Sequence, residues 1–245
     1  KAAHINHTAR GWSLYCHRCG DSLFVPKPLP TLAERSRIAQ VQRDADTSIS
    51  VSPTLPTPQE WDVQAWPAAA RLWLYKAGLS NADIQKLGAY YHEPTNRVVI
   101  PYVMDNKVVF WQARRLSGDG AKYLSPAHVD RSRVVGMYGA GNCIVIVEDA
   151  LSAFKVGKVS WGWSLLGTKV LKHTLAKLVT LGLPVVTWLD NDVGANRNSG
   201  QLAALEIKRS LALVGIPTVN VVTDKDPKAY SYREITEILG GTGLL

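Results

Sequence analysis

Asn142-Cys143-Ile144-Val145-Ile146-Val147-Glu148-Asp149 is the stretch that decides the fold. An unbroken apolar run ending abruptly in acids is what a strand covered on both faces looks like, and such strands belong to parallel sheets. The pattern then repeats outward. Pro184–Leu189 is a second buried strand that runs into Asp190-Asn191-Asp192, and Thr218–Val222 is a third, followed by Thr223-Asp224-Lys225-Asp226-Pro227. Between them, Leu151–Lys158 and Leu171–Leu181 suit helices, Ser164–Leu166 is a short apolar piece, and Gly200–Val214 is a clear amphipathic helix. Strands alternating with helices predict an α/β fold built on a parallel sheet.

In such sheets functional groups gather at the carboxyl ends of the strands. Three strands ending in acids would crowd like charges on one edge unless a cation neutralises them. Ligands that are all oxygen favour a hard ion, Mg2+ or Mn2+. Asp at a strand end also caps the next helix, and any one of these acids taken alone has that reading. The three ends together, with Asp-x-Asp in the middle, point to metal.

Composition sets the class. The chain has 245 residues, 46% hydrophobic and 20% charged, which excludes disordered and fibrous proteins. It has 28 Lys plus Arg against 20 Asp plus Glu, a net charge of +8, so nucleic acid is the default partner. The excess has no long run of like charge and peaks in residues 61–140, which suggests a basic face and not a tail. No uninterrupted apolar segment reaches membrane-spanning length, and the start shows no cleavable leader pattern, so the expectation is a cytoplasmic protein with no membrane partner.

The first half is organised differently. Gly11 to Val25 reads as strand, knuckle, strand around Cys16-His17-Arg18-Cys19-Gly20. Pro26–Pro58 is rich in Pro, Ser and Thr around one candidate helix at Leu32–Arg43 and looks like a linker. Helices follow at Trp66–Ala77 and at Ser80–Leu87, the second opened by Ser80 with Asp83 three residues on. Two β runs, Arg97–Val103 and Lys107–Arg115, are joined at Asp105-Asn106. Cys16 and Cys19 supply half of a tetrahedral zinc site, with His4, His7 and His17 the only nearby candidates for the rest; Cys143, in an apolar strand, is a core residue.

Residues 144–227 resemble the Toprim domain, the metal-binding α/β fold shared by DnaG-type primases, topoisomerases and some nucleases. That family has a Glu after its first strand and an Asp-x-Asp after a later one; Glu148 fits the first, Asp190 and Asp192 the second. Ser164-Leu165-Leu166-Gly167-Thr168 resembles the Leu-Gly-Thr segment of DnaG-type primases. Lys225-Asp226-Pro227 resembles their downstream Asp-Pro segment, which makes Asp226 a further metal carboxylate. Upstream, Arg97-Val98-Val99-Ile100-Pro101, Val108–Arg115, Ala121-Lys122-Tyr123-Leu124 and Met137-Tyr138-Gly139 follow the motif order of primase catalytic cores, so the likeness runs from Trp66 to Tyr232. Two departures stand out: Ser152 replaces the second acid of the family's Glu-Gly-x-x-Asp, and residues 193–200 stretch the loop after Asp-x-Asp.

The resemblance implies a DNA primase of DnaG or phage type: a zinc-ribbon-like β module at 1–27, a linker at 28–60, a small mixed α+β basic subdomain at 61–140, and a Toprim sheet flanked by helices at 141–245. It implies RNA primer synthesis on single-stranded DNA from ribonucleoside triphosphates, with a replicative helicase as a further partner. Glu148, Asp190 and Asp192 would be catalytic and, with Asp226, would hold Mg2+ or Mn2+. Cys16 and Cys19 would hold structural Zn2+. Arg97, Arg114, Arg115, Lys122, Tyr123 and Lys225 would contact template or nucleotide; for each, a solvated hairpin face is the plain alternative. Two other classes stay open: a Toprim metal-dependent nuclease, and a non-catalytic single-strand-binding module whose metal edge has decayed.

Overall fold

The computed structural model describes residues 3–8, 11–16, 19, 21–26, isolated positions between 31 and 40, and 54–244 apart from 105, 119, 128, 130, 132–133 and 192–197. Most of the helix expected at Leu32–Arg43, Asp105 and Asp192 therefore lie outside the described residues. Contacts divide the chain into two compact units, Lys1–Asp44 and Ala45–Leu245. The segments 61–140 and 141–245 both fall within the second.

The first unit is an antiparallel sheet, β1 (Ala3–Thr8), β2 (Gly11–Cys16) and β3 (Ser22–Pro26), in sequence order. The expected strand–knuckle–strand is β2, the turn holding Cys19, and β3. A hydrogen bond from the Cys16 amide to the Asp21 carbonyl, 2.9 Å, closes the turn.

The second unit opens with α1 (Ala68–Lys76) and α2 (Asn81–Leu87). Ser80 and Asp83 form the expected capping box: the Ser80 hydroxyl accepts from the Asp83 amide, and the Ser80 amide donates to the Asp83 carboxylate. Next come β4 (Tyr90–His92), β5 (Arg97–Met104), β6 (Lys107–Arg115) and β7 (Tyr123–Leu124), an antiparallel sheet in that order. β5 and β6 are the two predicted runs. β4 and β7, three and two residues long, are too short to show a period in sequence.

The rest is β8 (Gly136–Gly139), β9 (Ile144–Val147), α3 (Ala150–Val156), β10 (Trp161–Ser164), α4 (Lys172–Leu181), β11 (Val185–Thr187), α5 (Ser199–Ala212), β12 (Thr218–Asn220) and α6 (Tyr232–Gly240). β9, β11, β12 and the helices between them alternate as expected. β10 lies ahead of the Ser164–Leu166 piece, overlapping it only at Ser164, and neither the strand β8 nor the helix α6 is among the elements expected from sequence. The sheet order is β12-β11-β9-β10-β8. β9 to β12 are parallel, and β8 joins the edge antiparallel through Gly139↔Trp161 to Gly136↔Ser164. This mixed edge is the one departure from an all-parallel sheet. The fold is α/β with a largely parallel sheet flanked by helices.

Helix α3 joins the two halves. Every residue from Ala150 to Val156 is buried. Ala150, Leu151 and Phe154 pack into the core built by α1, α2, β5 and β6, while Ala153 and Val156 pack with Val145, Val147 and Trp188 of the parallel sheet. A helix apolar all round is what a two-sided contact demands. Lys155 is buried too, and its ammonium donates to the carbonyls of Ala77 (3.0 Å) and Lys228 (2.7 Å), one from each half. Burial holds that ammonium below its ordinary pKa.

Strand β10 runs so close under α3 that Gly162 has no room for a side chain: a Cβ there would lie 2.1 Å from the Ala153 carbonyl oxygen. Gly162→Ala therefore lowers unfolding free energy by about 1–3 kcal/mol in urea titration, the usual cost of overpacking. A variant as stable as wild type contradicts this close packing.

Candidate active site

The chain leaves β9 through α3 to β10 on one side, then crosses through α4 to β11 on the other side of β9. That reversal is a topological switch point, and a crevice opens there at the carboxyl ends of the two diverging strands. Glu148 follows β9, and Asp190 comes three residues after β11. β12, the next strand outward, leads to Asp224 and Asp226. The three acid-bearing ends thus belong to neighbouring parallel strands and open on one edge.

Glu148 and Asp190 are brought together. Both are half-buried, and the Asp190 amide donates to Glu148 Oε1 at 3.2 Å. Gly200, at the start of α5, explains how they fit: a Cβ there would lie 2.2 Å from the Asp190 carbonyl oxygen and 2.8 Å from Glu148 Oε1. The main chain around them is held as well. Ser164 Oγ and the Gly167 amide both donate to the Glu148 carbonyl, and Gln201 Nε2 donates to the carbonyls of Leu189 and Asp190. Asp192 lies outside the described residues, and among those described no group of three or more His, Cys, Asp and Glu clusters as a metal set.

Asp226 is placed differently. Lys228, in the 3-10 turn Pro227–Ala229, bridges the carboxylates of Asp226 and Asp149. Burial alone would pull the Lys228 ammonium down, but Asp149 and Asp226 outweigh it and hold it above its usual range. Asp149 itself is the N-cap of α3, accepting from the amides of Leu151 and Ser152, and Ser152 Oγ donates to its other oxygen at 2.8 Å. The plain capping role thus holds for Asp149. Ser152, where the resemblance leads one to expect an acid, is buried and serves this cap. Asp224 accepts from the Tyr230 hydroxyl at 2.6 Å, which keeps its carboxyl below the ordinary range. Lys225 lies with its ammonium 5.8 Å from the Tyr230 ring centre.

The hairpin residues divide sharply. Arg97 and Arg115 face each other across β5 and β6, and both are buried. The Arg97 guanidinium donates to the carbonyls of Ala113 (3.1 Å) and Ala121 (3.0 Å), which ties the segment before β7 to the sheet. Arg114 points to the other face, half-buried, 5.0 Å from the Tyr123 ring and 5.6 Å from the Trp73 ring. Lys122 and Tyr123 are exposed beside it.

Sequence reasoning passed over Arg131 and Lys228. Arg131 lies against the Phe110 ring and donates to the Leu166 carbonyl at 3.3 Å. Leu166 has a φ of 58°, uncommon for a branched residue, and the next amide, Gly167, is the one bonded to Glu148. Arg131 and Lys169 line a cavity of ≈ 310 Å³ with Leu165, Leu166 and Gly167. Arg131 and Lys228 carry no local sequence signal, since each matters only through where the chain returns. In the first unit, Cys16 ends β2 and Cys19 lies on the turn that follows; His17 lies outside the described residues, and among those described no group of three or more His, Cys, Asp and Glu forms a metal set.

No protein-family profile matches the chain, and no curated protein matches it in sequence. Solved structures do. It resembles the DnaG catalytic core (TM-score 0.58, 16% identity, covering 82% of this chain and 77% of that one) and the E. coli primase catalytic core (TM-score 0.59, 16% identity, 83% and 78%). The fold is that of a DnaG-type primase core. In this primase-core fold, Glu148 and Asp190 sit at the topological switch point, while Arg97 is buried and bonded to main-chain carbonyls.

Arg97→Met removes the guanidinium bonds to the buried Ala113 carbonyl and to the Ala121 carbonyl, which is open to water, and lowers stability by about 1–3 kcal/mol, chiefly at Ala113. Arg114→Met, which gives up only ring contacts, lowers it by less than about 1 kcal/mol. Denaturant unfolding of the two variants checks the division; equal losses would contradict it.

Proposed function

We propose that the chain is a DNA primase that joins ribonucleotides on a single-stranded DNA template by divalent-metal-dependent nucleotidyl transfer. The observation that carries the reading is the meeting of Glu148 and Asp190 at the switch point of a sheet with the primase-core fold. Here the sheet takes the role of a Toprim domain, and the Arg114, Lys122 and Tyr123 face is the polynucleotide surface.

The donors at this edge are carboxylate oxygens, the chemistry that fits a hard divalent ion, and Gly200 lets them sit directly against the start of α5. Glu148, Asp190 and Asp192 would hold Mg2+ or Mn2+. When bound, such ions lower the pKa of a primer 3′ hydroxyl and offset charge on the departing pyrophosphate. In the transfer, the 3′ hydroxyl gives up its proton to solvent, its oxygen bonds to the α-phosphorus of the incoming triphosphate, and the bond from that phosphorus to the pyrophosphate oxygen breaks, releasing pyrophosphate. Arg131 and Lys169, around the neighbouring cavity, supply positive charge for the triphosphate. Arg114 and Tyr123 offer a cation and an exposed ring to template phosphates and bases. Arg97 and Arg115 support that surface from beneath, and Lys225 flanks the acidic turn. Zn2+ on Cys16 and Cys19 would brace the turn of the N-terminal sheet. The activity belongs in the cytoplasm, the host's if the chain is phage-encoded, alongside a replicative helicase.

A non-catalytic single-strand-binding module is the second reading, favoured by Ser152 in place of an acid and by Lys228 beside Asp226. Incubating the protein with mixed-sequence single-stranded DNA, labelled ribonucleotides and Mg2+ or Mn2+ decides. Short labelled oligonucleotides are expected, reduced at least about 100-fold in Asp190→Asn with Asp192→Asn. DNA binding with no product supports the second reading, and degraded template supports a nuclease.

A further inference from the structure

We propose that Lys228 is a resident counter-ion, standing between Asp149 and Asp226 where a second divalent cation would otherwise sit. The inference rests on reading this edge as a metal site. Asp149 comes two residues after β9, whereas Asp226 lies beyond β12, two strands away in the sheet. The Lys228 ammonium reaches both, 3.0 Å from Asp149 Oδ2 and in short contact with Asp226 Oδ2. Its main chain is fixed at both levels: Pro227 and Ala229 complete a 3-10 turn with Pro227 buried, and the Lys228 carbonyl accepts from the buried Lys155 ammonium.

The hydrogen-bond count at Asp149 excludes a metal while Lys228 is present. A carboxylate has about four lone-pair sites. Those of Asp149 receive the Leu151 amide (2.9 Å), the Ser152 amide (3.1 Å), the Ser152 hydroxyl (2.8 Å) and Lys228. A cation at this carboxylate would have to break the α3 cap or displace the ammonium. It would also meet that ammonium's charge at close range, where such repulsion is strong. Ser152 and Lys228 thus act together: one fills an oxygen of Asp149 and the other neutralises what is left, so that metal binding falls to the Glu148–Asp190 end.

The test counts Mn2+ bound to the full chain, from the loss of free-ion electron paramagnetic resonance signal. Lys228→Met is expected to bind one Mn2+ more than wild type, or to bind its weakest ion at least about tenfold more tightly. Lys228→Arg, which keeps the charge, is expected to match wild type, and adding Asp226→Asn to Lys228→Met removes the gain. Asp226→Asn alone leaves the count unchanged, because Asp226 is already committed to Lys228; this arm stands even if Lys228→Met does not fold. Equal count and affinity in Lys228→Met and wild type, or a lost ion in Asp226→Asn alone, overturns the proposal. Glu148→Gln separates the underlying reading. If it binds Mn2+ as wild type does, the Glu148–Asp190 site is wrong, and a gain in Lys228→Met still upholds the lysine's role.

Discussion

Negative charge delivered to one edge of a parallel sheet has to be balanced, and much of the second unit is arranged around that balance. Three neighbouring strands point their carboxyl ends the same way and each leads into acids. Each acid is met by a different device. Asp149 is spent on capping α3, Asp224 on the Tyr230 hydroxyl, and Asp226 on Lys228. At the switch point, the place where open α/β sheets hold ligands, the Asp190 amide donates to Glu148 Oε1.

The same edge is wired to the rest of the protein by helix α3. Its two apolar faces belong to two different cores, and its one buried cation, Lys155, reaches the carbonyl of Ala77 on one side and of Lys228 on the other. A second link runs on the surface, where Lys158 pairs with Asp83 of α2 at 2.7 Å. Burial would raise the Asp83 carboxyl, but the bonds from Lys158 and Ser80 prevail and bring it down to about 2. The basic hairpin and the acidic edge are therefore parts of one compact unit.

The fold was largely legible because its signals are local. Continuous apolar runs marked β9 and β11, the Ser80–Asp83 spacing marked a capped helix, and the Arg97 to Arg115 segment showed its two strands. The short pieces β4, β7 and β8 are held by neighbours in the sheet and have too few residues to display a period. The acids were legible as strand ends, but their separate fates were not. Which carboxylate becomes a cap, which meets a lysine and which faces the crevice depends on residues that return from far along the chain, such as Lys228 to Asp149. The arginines divide for a related reason: alternation on β6 separates Arg114 from Arg115, but only the register places Arg97 against Arg115 and buries both.

The proposed function requires that Glu148 and Asp190 hold a divalent cation. Its most direct test is an anomalous difference map from crystals of the full chain grown with Mn2+ and a non-hydrolysable ribonucleoside triphosphate. The account predicts a peak at the carboxyl ends of β9 and β11, about 2.1 Å from carboxylate oxygens of Glu148 and Asp190. Ordered triphosphate with no peak there, or with manganese bound elsewhere and Glu148 and Asp190 uninvolved, would contradict it.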